Sequence, residues 1–359
     1  MLYYLFTYLH KQFELPGAGM FNYISFRSAA ALITSLLIAM FFGKQIIDFL
    51  KRKQVGESVR DLGLEGQMSK QGTPTMGGIL IIFSITLSTL IWGDLSNSFV
   101  WMCLIVLLVF GITGFADDYM KVKKKTANAM TAKMKLLIQF STALIVTYFI
   151  SQATPEEMRH NLYFPYFDLS LNISWFYILF AMIVIAGSSN AVNLSDGLDG
   201  LAAGLCIFSF ISFAMIALVT GSTTSINLNS VFIPGCKEIT IVCAAVAGAC
   251  LGFLWYNCSP AQVFMGDTGS LALGALLGVI AVMTKREIVL AIIGLVFVIE
   301  ALSVMIQIFW YKKTKTRIFL MAPIHHHFEQ LGWKETTVVT RFWVISFICS
   351  IIGLSSLVF

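Results

Sequence analysis

Apolar residues arrive in long unbroken runs along the chain, and polar residues gather in the short stretches between them. Phe99 to Ala116 carries no charge at all. Runs of this kind recur near 22–47, 75–93, 98–116, 132–151, 173–188, 198–219, 239–256, 269–283, 288–310 and 340–359. A helix needs about 20 apolar residues to cross a bilayer, and most of these runs approach that length. They are continuous rather than alternating, so they predict helices and not the strands of a membrane barrel. Ten membrane-spanning helices in a single domain, 1–359, are therefore expected: an all-α, polytopic fold. In hydrocarbon each backbone N–H and C=O must be paired within its own segment, and a helix does this by itself.

Composition points the same way. Charged residues make up 12% of the 359, whereas a soluble domain carries about 25%, so most of the surface must face lipid. The first twenty residues lack a basic start, a short apolar core and a small-residue cleavage site, and read as an uncleaved interfacial segment. The seven cysteines are scattered through apolar runs without a CxxC pair. They read as reduced packing residues rather than a disulfide framework or zinc site.

Charge sets the orientation. With the loop after the first span in the cytoplasm, cytoplasmic loops hold most of the 24 lysines and arginines. These include Lys51, Arg52, Lys53, Arg60, Lys121, Lys123, Lys124, Lys125, Lys312, Lys313 and Arg317. The positive-inside rule then puts both termini on the side away from the cytoplasm. Lys285 and Arg286, in a short outer turn, run against the bias. The net charge of +5 fits this asymmetry and anionic lipid better than nucleic acid.

That orientation brings the polar motifs to one side. They are Lys70 and Thr75 in KQGTPTMGG, the adjacent Asp117 and Asp118, and Asn190, Asn193, Asp196 and Asp199 in NAVNLSDGLDG. Phe264 and Asp267 in FMGDTGS and His325, His326 and His327 in APIHHHFEQLGW complete the set. Each alone has a plain structural reading as a helix end or a Gly-Asp turn. Together they place chemistry at the inner membrane surface. The aspartates are hard oxygen ligands of the kind that, with substrate phosphates and waters, bind Mg²⁺. The lysines and histidines suit phosphate oxygens. No P-loop is present. Consecutive helical side chains diverge by about 100°, so Asp117 and Asp118 should face different partners. Glu300, Ser303 and Gln307 lie on one face of the ninth span. A mid-span carboxylate costs about 3 kcal/mol to insert, so Glu300 is expected to be either functional or paired inside the bundle.

With these motifs in place, the chain resembles the bacterial phospho-N-acetylmuramoyl-pentapeptide-transferases, a branch of the polyprenyl-phosphate N-acetylhexosamine-1-phosphate transferases. The likeness rests on KQGTPTMGG (70–78), FADDYMKV (115–122), NAVNLSDGLDGLA (190–202), FMGDTGSLALG (264–274), EALSVMIQ (300–307) and APIHHHFEQLGW (322–333). It implies ten helices in the bacterial inner membrane with both termini periplasmic, and transfer of phospho-MurNAc-pentapeptide from its UDP carrier to undecaprenyl phosphate, giving lipid I and UMP, with Mg²⁺ and commonly as a homodimer. It implies Asp267 as the metal ligand and Asp117 as the group that deprotonates or positions the lipid phosphate. Asp118, Asn190, Asn193, Asp196, Asp199 and His325 to His327 would line the cleft, with Lys70 and Phe264 on the nucleotide. Direct attack and a covalent phospho-enzyme both remain open. The rivals are the sibling that moves GlcNAc-1-phosphate and a transporter, which would place its polar site near the midplane.

Overall fold

A computed structural model describes residues 1–53, 70, 72–124, 130–167, 169–222 and 231–357. Arg60, Lys125 and the tip of the loop after the sixth span lie outside the described residues. The main chain forms helices α1 (Leu2–Phe13), α2 (Ile24–Arg52), α3 (Gly78–Trp92), α4 (Ser98–Lys124) and α5 (Ala132–Ala153). A short hairpin, β1 (Asn161–Phe164) and β2 (Leu169–Asn172), follows. Then come α6 (Phe176–Leu194), α7 (Leu201–Thr220), α8 (Ile239–Asn257), α9 (Gly266–Met283), α10 (Glu287–Ile293), α11 (Leu295–Thr314), α12 (Ile324–Gln330) and α13 (Glu335–Ser355). Among the described residues, nine of the helical stretches are long and apolar enough to cross a membrane. Each expected span has its helix, and the molecule is an all-α, multi-pass membrane protein.

The departures have physical causes. The ninth span is broken at Gly294 into α10 and α11, and glycine is a common site of such breaks. At 1.5 Å per residue, α3 covers only about 22 Å. The backbone before it is completed by another segment instead. Phe264 N–H donates to Pro74 O, and the N–H groups of Gly77 and Gly78 donate to the carbonyls of Phe264 and Met265, all at 2.8–2.9 Å. Buried non-helical backbone is stable when its polar groups are paired in this way. The antiparallel hairpin pairs Asn161 with Asn172 and Phe164 with Leu169 and lies between the fourth and fifth expected spans, where the apolar pattern predicts no element.

α9 forms the centre. It packs on α4 and α6 and is buried around its circumference from Thr268 to Met283, which is why it is apolar on every side. Close approach depends on small residues: a Cβ at Gly274 would lie 2.4 Å from the Ser188 carbonyl oxygen, and one at Gly278 would lie 2.8 Å from the Ile185 Cα. Such small-residue contacts are how helices pack in lipid. α8 is the next most buried, between α2 and α7. α11, in contrast, is mostly exposed, with Phe309, Met305 and Ile308 facing outward.

The end of the bundle remote from the polar motifs explains the cations that run against the charge bias. Arg27 makes two hydrogen bonds to Glu238, at 2.8 and 2.7 Å, with both side chains buried. Lys285 donates to the Arg159 carbonyl at 2.8 Å and sits 3.5 Å from the centre of the Tyr177 ring. Burial lowers its pKa to about 8, against the pull of Glu287. Lys285 and Arg286 are buried structural groups, not free charges at a membrane surface. All seven cysteines are unbridged, and six are buried, as the sequence implies.

Candidate functional site

The opposite end gathers the C-terminal ends of α4 and α6, the N-terminal end of α9 and the start of α5. Two glycines allow the approach. A Cβ at Gly114 on α4 would lie 2.1 Å from the Asp267 carbonyl oxygen, and one at Gly78 would lie 2.1 Å from Gly269 N. Gly266 has φ +72, and a Cβ there would meet Asp118 Oδ2 at 2.7 Å and Thr75 Oγ1 at 2.9 Å. Only glycine fits that conformation and that space. Thr75 is thereby placed as buried packing beneath the start of α9.

Asp117 and Asp118 diverge as helix geometry requires. Asp117 turns toward α5. Its Oδ1 accepts the Met130 N–H at 2.9 Å, and its Oδ2 accepts Lys135 Nζ at 2.7 Å and Lys121 Nζ at 2.8 Å. Asp118 turns toward α9. It accepts the Thr268 N–H at 2.9 Å, the Thr268 hydroxyl at 2.8 Å and, more weakly, the Asp267 N–H at 3.3 Å. It therefore caps α9 from another helix, satisfying N–H groups that the helix cannot pair internally. Asp267 meets both lysines, at 3.1 Å from Lys121 and 2.7 Å from Lys135, through Oδ2. Its Oδ1 accepts Asn193 Nδ2 at 2.9 Å, and Asn193 also reaches Ser270 Oγ at 2.8 Å. Asp117 and Asp118 are almost wholly buried, while Asp267 keeps 15% of its side chain open.

Oxygens of Asp117, Asp118 and Asp267 lie within 4.8 Å of one another. This all-oxygen donor set fits a small hard divalent cation such as Mg²⁺. Lys121 and Lys135 lie between the carboxylates and offset two of their three negative charges. Asn190 stands one turn before Asn193 and donates to Gln139 Oε1 at 2.8 Å.

A second knot holds the edge of the site. Lys70 Nζ donates to Asp199 Oδ1 at 2.7 Å and to Glu335 Oε1 at 2.5 Å. Burial opposes the Lys70 charge, yet the hydrogen bonds to Asp199 and Glu335 outweigh it and raise its pKa. Asp199 Oδ2 accepts the Ala261 N–H at 3.1 Å. Asp196 is half-buried in the same loop, and Phe264 is half-buried beside the start of α9.

The third group lies on α11 and α12. Glu300 is fully buried, and its Oε2 lies 3.0 Å from His325 Nδ1. His325 Nε2 points at the 196–199 loop: a Cβ at Gly197 would lie 2.4 Å from it. Glu300 thus joins the site through a histidine. His326 pairs with Glu329 at 2.6 Å, and His327 Nδ1 accepts the Leu320 N–H at 3.2 Å. Three adjacent histidines therefore have three different partners. Gln307 is used on the chain itself: its amide bonds both ways to the backbone of Ile318 and Phe319, anchoring that loop.

Glu335, Lys135, Gln139 and Thr268 join the site without a local signal in the sequence. Lys135 is one of several lysines near the start of α5, and nothing local distinguishes Glu335 from any acidic residue in the first turn of a helix.

Comparison with known proteins bears on what this arrangement does. Residues 100–285 match glycosyl transferase family 4, and residues 70–82 match the phospho-N-acetylmuramoyl-pentapeptide-transferase signature 1. The phospho-N-acetylmuramoyl-pentapeptide-transferase of Rickettsia prowazekii is 51% identical over 344 residues, 95% of this chain and 95% of the relative. Those of Pelagibacter ubique and Caulobacter vibrioides are each 47% identical, over 99% of both chains.

Proposed function

The chain belongs to the phospho-N-acetylmuramoyl-pentapeptide-transferases, and from that premise we propose how its own residues carry out the transfer. The enzyme moves phospho-MurNAc-pentapeptide from UDP to undecaprenyl phosphate, producing lipid I and UMP. The observation that carries the site assignment is the meeting of three carboxylates and two lysines, from α4, α5 and α9, at the end of the bundle that also holds the remaining polar motifs.

Both reacting partners are anions, so alignment and charge screening matter more than a strong base. Lys121 and Lys135 supply the screening. Asp117 holds both lysines between itself and Asp267, where the acceptor phosphate can meet them. This makes Asp117 a group that places cations rather than a free proton acceptor. Asp118 positions Asp267 by fixing the first turn of α9. Asn193 fixes the other oxygen of Asp267. Asp267, with Asp117 and Asp118 facing it, would hold Mg²⁺, which when bound neutralises diphosphate charge and stabilises the leaving UMP. Lys70 and Phe264 address the nucleotide. Asn190, Asp196 and Asp199 shape the adjoining wall, and His325, backed by Glu300, faces the 196–199 loop with His326 and His327 beyond it. Attack by the lipid phosphate oxygen on the β-phosphorus of the donor forms one phosphoanhydride and breaks another, so the reaction is readily reversible.

The charge bias of the loops supports a cytoplasmic-facing site in the bacterial inner membrane, where a water-soluble UDP-substrate is available. A homodimer belongs to the same reading. The test is incubation of the purified protein with UDP-MurNAc-pentapeptide, undecaprenyl phosphate and Mg²⁺. Release of UMP with formation of lipid I is expected. Turnover with UDP-GlcNAc and none with the muramoyl substrate would overturn the assignment.

A further inference from the structure

Glu335 is the first residue of α13, two residues beyond the APIHHHFEQLGW motif and far along the chain from Lys70 and Asp199. One of its oxygens, Oε1, nevertheless accepts both Lys70 Nζ at 2.5 Å and the Asp199 N–H at 2.7 Å. The same Lys70 also reaches Asp199 Oδ1, and Asp199 in turn holds the Ala261 N–H. Four segments therefore converge: the strand of chain entering α3, the 196–199 loop, the turn before α9 and the start of α13. Asp199 is nearly fully buried, whereas Lys70 and Glu335 each keep about a fifth of the side chain open. The knot thus sits at the rim of the site and not in the core.

We infer that Glu335 is a positioning residue for the nucleotide part of the donor substrate, acting through Lys70 and the 196–199 loop. An ammonium group has three N–H donors. Asp199 and Glu335 take two, which fixes the direction of the third toward the open side of the knot. A free lysine side chain would have to give up most of its rotamer freedom on binding, whereas a tethered one has already done so. Glu335 also pins the backbone N–H of Asp199, so it sets the shape of the loop that carries Asp196. The inference rests on the reading of Lys70 as a nucleotide contact.

Charge and position predict opposite outcomes, which makes the inference testable. Lys70, Asp199 and Glu335 together carry one net negative charge. If only charge mattered, Glu335→Gln would remove repulsion and tighten binding of an anionic nucleotide. A positioning role predicts the reverse. The experiment measures equilibrium binding of UMP to the purified full-length protein, together with steady-state kinetics in both substrates. Lys70→Ala serves as the reference and should weaken UMP at least tenfold. Glu335→Ala should weaken it by roughly tenfold, and Glu335→Gln, which keeps an acceptor for the Asp199 N–H, by about three- to fivefold. KM for the UDP-substrate should rise in parallel. The kcat should stay within about threefold, and KM for undecaprenyl phosphate should not move. The Lys70→Ala/Glu335→Ala double variant should bind UMP within about twofold of Lys70→Ala alone, because groups that act through one another are not additive. Unchanged or tighter UMP binding in Glu335→Gln, beside a weakened Lys70→Ala, would overturn the inference. An unaffected Lys70→Ala would instead overturn the nucleotide reading of Lys70 and take the inference with it. If Glu335→Ala fails to fold, the isosteric Gln variant decides.

Discussion

Asp118 offers the sharpest division between a structural and a chemical carboxylate. Replacing it with alanine leaves the Thr268 N–H, the Thr268 hydroxyl and the weaker Asp267 N–H contact without their acceptor, at the start of the most buried helix. A hydrogen bond to a charged group contributes about 1.5–3 kcal/mol, and a carboxylate at a helix N-terminus adds about 0.3–1 kcal/mol. Against this stands the cost of keeping the carboxylate buried, which the variant no longer bears. The expected net loss is about 3 kcal/mol for Asp118→Ala. For Asp118→Asn it is about 1–2 kcal/mol, since one carbonyl oxygen remains to accept. At about 2–4 °C per kcal/mol for chains of a few hundred residues, the Ala variant should lose roughly 6–12 °C of apparent Tm in detergent. Thr268→Val, which deletes only the hydroxyl partner, should lose less. The two changes should couple by more than about 0.5 kcal/mol in a double-mutant cycle, as contacting groups do. Heating at one scan rate with a fluorescent thiol probe or by light scattering is the assay, with Asp117→Asn as the comparison. An Asp118→Ala protein that melts with the wild type but has lost all turnover would refute the capping argument and assign Asp118 to the chemistry.

Asp117→Asn keeps an acceptor for the Met130 N–H but loses the charge that holds Lys121 and Lys135, so kcat should fall by about 10²-fold, the scale of removing one electrostatic group. Its kcat profile from pH 6 to 9 should parallel the wild type, whereas recovery at higher pH would make Asp117 the base. Asp267→Asn loses two lysine contacts and an anionic metal ligand, and should be nearly inactive across a Mg²⁺ titration; near-normal activity at low Mg²⁺ would remove it from the metal role. For topology, Cys258 is the one exposed native cysteine and needs replacing. Single cysteines at Lys123 and Ser98, at opposite ends of α4, should then label oppositely with an impermeant reagent on intact cells. Ser98→Cys should react and Lys123→Cys should not, and the reverse pattern would invert the orientation.

What the sequence alone determined is the part governed by the bilayer. A membrane helix must be apolar over about 20 residues and must pair its own backbone, so its existence is written locally, and ten spans can be read without knowing how they pack. The gathering of polar motifs on one side follows from the same alternation. The divergence of Asp117 from Asp118 follows from the helical turn. What only the tertiary structure decided is which partner each polar group takes. Lys70 meets Glu335 across 265 residues of chain and Asp118 meets Thr268 across 150, and no period or spacing encodes those meetings. They depend on which helices lie side by side, and that is settled by glycine contacts such as Gly114 on Asp267 and by the burial of α9. The buried Lys285 and Arg286, which read from the sequence as misplaced surface charge, are explained the same way. A charge has a topological meaning only while it faces water or lipid headgroups, and whether it does is a property of the packed bundle.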